Sequence, residues 1–151
     1  MQLETIWALT NLASETTEYC YILVNVGVIP LSVRLLRFDN IKIIEQAVWL
    51  VGQLAADLPF FRDSLIDEGA VEIITSIIKD QSDTWLITYT CWALSNLCRG
   101  TPLPASRKVL PAIDYLCQFI SCGIITDRDI ISDCCWSICW HTDQSHQAYV
   151  L

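Results

Sequence analysis

The sequence predicts an all-helical, right-handed solenoid, and three observations predict it. Trp7, Trp49, Trp92 and Trp136 recur 42, 43 and 44 residues apart, each inside an apolar segment of helical length. A fixed period in this range is the signature of stacked helical units, each burying its apolar face only against its neighbours. The text around each indole also repeats, as Trp7-Ala-Leu-Thr-Asn11, Trp49-Leu-Val-Gly-Gln53, Trp92-Ala-Leu-Ser-Asn96 and Trp136-Ser-Ile-Cys-Trp140. Finally, 53% hydrophobic content with only five glycines and five prolines argues for a packed core rather than a disordered chain.

Within one period three helices can be placed. In the second unit they run through Phe60 to Asp67, Ala70 to Lys79 and Thr84 to Arg99. Pro59 and Pro104 are read as first-turn prolines, and Gly27 and Gly69 as helix stops. A short, a middle and a long third helix make an armadillo-like unit, with the tryptophan always in the third. Residues 1–151 then form one domain of about three full repeats with a partial repeat at each end, which reads as a piece of a longer chain or a reduced relative.

The third helix carries three faces. One residue before and two and five after each tryptophan lie Ile6, Leu9, Leu12; Val48, Val51, Leu54; Cys91, Leu94, Leu97; and Cys135, Ile138, the expected core face. Three residues after it stand Thr10, Gly52, Ser95 and Cys139, all small, where neighbouring helices should press together. The third stripe joins Glu4, Gln46, Tyr89 and Asp133 to the tryptophans and then to Asn11, Gln53 and Asn96, since positions three and four apart share a helix face. Burying the indoles would bury those carboxamides too, at about 1–3 kcal/mol each if unpaired. An open ladder of indoles and carboxamides is therefore expected.

Charge narrows the partner. Nine Lys and Arg against seventeen Asp and Glu give a net charge of −8, which disfavours nucleic acid and anionic membranes and favours a cationic partner. The N-terminus shows neither a basic leader nor an apolar signal run, and Gly52, Gln53 and Asp57 interrupt the best membrane-span candidate. Eight cysteines contain no Cys-x-x-Cys pair, so no metal site is expected and the thiols are read as small buried side chains. His141 and His146 near Cys134, Cys135 and Cys139 are the one nucleophile and base set worth weighing. Without a phosphate loop or paired carboxylates, neither an enzyme nor a cofactor is expected.

The strings Trp92-Ala-Leu-Ser-Asn-Leu-Cys-Arg-Gly100, Glu45-Gln-Ala-Val-Trp-Leu-Val-Gly-Gln-Leu-Ala-Ala-Asp57 and Trp7-Ala-Leu-Thr-Asn-Leu-Ala-Ser14 resemble importin-α, the karyopherin adaptor family, over its second to fifth armadillo repeats. The resemblance implies a concave groove binding lysine- and arginine-rich nuclear localisation signals as extended peptides, in a protein of cytoplasm and nucleus. It implies slots for basic side chains at Trp7, Trp49 and Trp92, backbone clamps at Asn11 and Asn96 with Gln53 replacing the middle one, a groove contact at Gln46, a lysine receptor at Asp57, and Asp133 and Trp136 opening a second site. This sequence departs from the family at Gln53, at Tyr89 for an asparagine, at Glu15 and Cys20 for glycine and threonine, and at Trp140 for a tyrosine. The basic segment through which the family binds importin-β is not in this sequence, so that partner is expected only if such a segment precedes the repeats. The alternative is an armadillo scaffold that binds proteins without reading signals.

Overall fold

The computed structural model describes residues 2–79, 83–123 and 126–148. Among them are nine helices and no strand: α1 (Gln2–Glu15), α2 (Thr17–Asn25), α3 (Val28–Leu35), α4 (Ile41–Asp57), α5 (Pro59–Asp67), α6 (Ala70–Lys79), α7 (Thr84–Cys98), α8 (Ser106–Cys122) and α9 (Arg128–Ala148). The long helices α1, α4, α7 and α9 pack side by side in chain order, while α3, α5, α6 and α8 cover their other side. This is a right-handed armadillo superhelix.

Local chemistry sets the boundaries. Thr16, Asn40 and Asp83 cap α2, α4 and α7, their side-chain oxygens accepting from the N–H groups of Tyr19, Lys42 and Trp85 respectively. Pro59 sits at the first turn of α5, where its missing N–H costs nothing. Gly27 and Gly69, at φ +91 and +86, turn α2 into α3 and α5 into α6 through left-handed backbone that a side chain would strain.

The core follows the apolar stripe. Val48, Val51 and Leu54 of α4 and Cys91, Leu94 and Leu97 of α7 are completely buried against Phe61, Leu65, Val71, Ile74, Val109 and Leu116 from the covering helices. Each such side chain contributes about 1.5–3 kcal/mol by leaving water. Tyr21 and Phe61 meet edge to face at 5.0 Å, tying α2 to α5 across a repeat boundary.

Three expectations are corrected. Pro104 lies two residues ahead of α8 rather than in its first turn, and the last unit has two helices among the described residues instead of three. Too few residues separate α7 from α8 for a short helix, and two prolines at 102 and 104 break what there is. That loop is instead pinned by Arg62, only 1% exposed, whose Nη1 donates to the Arg99 carbonyl at 2.8 Å while its other nitrogens hold Asp63. Leu12 and Cys135, placed on the core face, are exposed, because they belong to the first and last long helices, each with a long-helix neighbour on one side only.

Candidate functional site

The four repeat tryptophans stand one on each helix of the α1–α4–α7–α9 row, at different depths. Trp7 and Trp136 are 56% and 62% exposed, whereas Trp49 and Trp92 are half-buried. For Trp92 the depth originates at Gly52. A methyl group there would lie 2.2 Å from the Trp92 ring, so the indole rests directly on the backbone of α4. Trp49 in turn meets Tyr89 at 6.1 Å between centroids, and Tyr89 meets Trp85 at 4.2 Å and 40°.

Two hollows open along this row. One, of about 240 Å3, lies between the end of α1, the start of α2 and the end of α4, lined by Ser14, Glu15, Thr17, Gln53 and Asp57. There the Thr17 hydroxyl donates to Asp57 Oδ1 at 2.8 Å, while Asp57 Oδ2 has no hydrogen-bond partner among the described residues. Asp57 is the last residue of α4, where the helix dipole disfavours a carboxylate. Oδ2 is itself buried, so a cation reaching it would have to displace what covers it. Cys20 lies beneath it, fully buried, and burial, reinforced by the neighbouring Asp57, pushes its thiol up to about 12.

The other hollow, of about 590 Å3, lies between the first halves of α7 and α9 and is aromatic on one wall and acidic on the other. Asp133, on its acidic wall, pairs with Arg99 at 2.9 Å, so part of its charge is spent within the chain.

The open carboxamide ladder holds at one end and fails at the other. Asn11 is exposed and Gln46 and Gln53 are half-buried. Asn96 is fully buried, its Nδ2 donating to the Gly52 carbonyl at 3.1 Å. The expected clamp is here a bond between neighbouring helices, because glycine at 52 lets α7 approach the α4 backbone within reach of that side chain. Ser137 makes the next such bond, to the Ser95 carbonyl at 3.2 Å.

Thr17, Trp85 and Arg99 were not singled out by sequence reasoning. Trp85 carried a signal, standing four and seven residues before Tyr89 and Trp92 and hence on one helix face. Thr17 and Arg99 carried none, since their partners are 40 and 34 residues away.

A ring nitrogen of His141 lies 2.8 Å from the Cys98 carbonyl oxygen, and the His146 side chain lies outside the described residues. No cluster of metal-ligating side chains occurs among the described residues, and no single helix there is long and apolar enough to cross a membrane. The thiols divide, contrary to the uniform burial expected of them: Cys20, Cys91, Cys98 and Cys134 are buried, and Cys117, Cys122, Cys135 and Cys139 are exposed. Burial raises Cys91, Cys98 and Cys134 as well, and only thiolates react readily. Maleimide labelling of the native chain should therefore modify the exposed four and reach the buried four only after unfolding. Rapid native labelling at Cys91 or Cys98 would contradict this packing.

No family model matches the chain. Importin subunit alpha-2 of Arabidopsis thaliana is 35% identical to it over 143 residues, spanning 95% of this chain and 26% of that protein. Importin subunit alpha-1b of Oryza sativa subsp. japonica is 33% identical over 143 residues, with 95% and 26% covered. The chain thus spans about a quarter of the length of these curated relatives. Among solved structures, a designed armadillo repeat protein in complex with the peptide (KR)4 aligns with TM-score 0.75 at 22% identity, over 92% of this chain and 56% of that one. An engineered protein aligns with TM-score 0.79 at 20% identity, over 94% and 56%. By homology over 95% of its own length the chain is a relative of the importin-α family, and by fold it is an armadillo-repeat protein.

Proposed function

We propose that this chain is a peptide-binding armadillo module that holds lysine- and arginine-rich nuclear localisation signals in an extended conformation along the α1–α4–α7–α9 face. The observation that carries the reading is Asp57, a half-buried carboxylate at the end of α4 that lines a polar hollow of a strongly acidic protein. Neighbouring helices lie about 8–10 Å apart, so each repeat advances about three extended residues at roughly 3.3 Å each. A lysine ammonium would pair with Asp57 while flanking basic stems lie along Trp7, Trp49 and Trp92, each cation over an indole contributing about 0.5–2 kcal/mol. Asn11 and Gln53 offer donor and acceptor groups to the peptide backbone, whereas Gln46, whose Oε1 is buried, would offer its amide donor. Trp136 begins a second stretch of the same face, with Asp133 beside it.

The homology and the (KR)4 complex of the designed neighbour support the peptide class. Cytoplasm and nucleus follow as the places of action, and importin-β enters only through a basic segment ahead of these repeats. Buried Asn96 and the Arg99–Asp133 pair favour a second reading, an armadillo scaffold that binds proteins without selecting basic signals. Titration separates the two. An octalysine peptide should quench tryptophan fluorescence with micromolar affinity or weaker, since ordering a flexible peptide consumes much of the contact energy. Binding should weaken with salt. An equal response to an acidic peptide would leave only the scaffold.

A further inference from the structure

The four exposed thiols lie on α8 and α9, Cys117 and Cys122 on the first, Cys135 and Cys139 on the second. The two helices pack together and are joined by residues 123–127, a connection short enough to make them antiparallel. Lys108 reaches Asp67 of α5, which fixes the side of α8 turned to the preceding unit. Cys117 stands nine residues on, two and a half helical turns, and therefore on the opposite side. In α9, Ser137 reaches the Ser95 carbonyl of α7. Cys135 lies two residues before it, about 200° around the helix, and so also turns away from the preceding unit. Their depths match. Cys117 is five residues from the end of α8 and Cys135 seven from the start of α9, about 8 and 10 Å from the connection. Partial burial, Asp114 and the Cys135 thiol together push the Cys117 thiol up, so each sulfur lies within electrostatic reach of the other.

We propose that Cys117 and Cys135 are an oxidisable pair, which a small-molecule disulfide such as glutathione disulfide closes into a reversible clip between α8 and α9. The inference does not depend on the peptide reading. In the first step the Cys135 thiolate attacks one sulfur of glutathione disulfide, breaks its S–S bond and expels one glutathione thiolate. The Cys117 thiolate then attacks the mixed disulfide at the Cys135 sulfur, forms the Cys117–Cys135 bond and expels the second glutathione. The two protein thiols lose two electrons and two protons, and one glutathione disulfide is reduced to two thiols. Cys117 suits the second step, because an attack within one chain tolerates a smaller thiolate fraction. Where thiols are otherwise kept reduced, a bond of this kind is a transient redox signal rather than a permanent staple. Its effect here is to tie the last long helix to α8 at a point next to Trp136.

The test uses the full chain, reduced and then incubated with glutathione disulfide, and reads intact mass and a peptide map. The expected product is lighter by two hydrogens and carries one cross-link, from Cys117 to Cys135. Maleimide uptake by the folded chain should fall from the four exposed thiols to two, and dithiothreitol should restore it. The melting temperature of the oxidised form should rise by several degrees, because the bond closes a loop in the unfolded chain. Cys117→Ser should instead leave a stable glutathione adduct on Cys135 with no gain in melting temperature, which a merely structural thiol would not produce. The double variant Cys122→Ser and Cys139→Ser should still form the clip. Glutathione adducts on both Cys117 and Cys135 without a bridge, or a bridge from either to Cys122, to Cys139 or to a second chain, would overturn the assignment. So would a chain that keeps all its thiols after incubation.

Discussion

Asp57→Lys should lower affinity for lysine-rich peptides by about a hundredfold or more while shifting stability by less than about 1 kcal/mol. The binding loss has two parts. A charge-assisted bond of about 1.5–3 kcal/mol disappears, and a cation then occupies the place where a cation should dock. Folding is nearly indifferent because opposing effects meet at the end of α4. The Thr17 bond to Oδ1 is lost at about 1 kcal/mol, yet a lysine there complements the helix dipole by about 0.3–1 kcal/mol and relieves an Oδ2 without a partner. The core stripe of Val48, Val51 and Leu54 is untouched. Unchanged octalysine affinity in a folded variant would leave only the scaffold reading.

Gly52→Ala should destabilise the protein, although alanine is the better helix former. The propensity gain is about 1 kcal/mol, but the new methyl would stand 2.2, 2.8 and 2.9 Å from three carbons of the Trp92 ring. A rigid indole on a packed helix cannot yield by that much without moving α7, and such overpacking costs about 1–3 kcal/mol. Moving α7 also stretches the Asn96 bond to the Gly52 carbonyl. The two terms leave a net loss of up to about 2 kcal/mol, to which the weakened Asn96 bond adds, read as a melting temperature lower by several degrees. Basic-peptide affinity should fall with it, because Trp92 leaves its seat in the groove. A melting temperature that rises, as propensity alone would dictate, would contradict the close packing of α4 and α7.

These two positions also show what could be read from the residues. The indole ladder, the apolar stripe and the helices from α5 to α7 were legible because they follow from a 3.6-residue period and from caps and turn glycines, all local signals. Gly52 was legible as a point of close approach, since the small residue recurs three after each tryptophan. Its consequence was not. Which way Asn96 turns depends on the empty space that glycine leaves on another helix, 44 residues away in the chain. The pairing of Arg99 with Asp133 and of Thr17 with Asp57 was hidden for the same reason. The missing short helix before α8 was masked by the regular period, which predicts spacing and not the content of each interval.

The most direct measurement is the structure of this chain with an octalysine peptide bound. The account predicts an extended peptide crossing the α1–α4–α7 face, with one ammonium within ion-pair distance of Asp57 and flanking stems against Trp49 and Trp92. A peptide seated instead on the outer face of α3, α6 and α8, or bound with Asp57 still facing only Thr17, would contradict it.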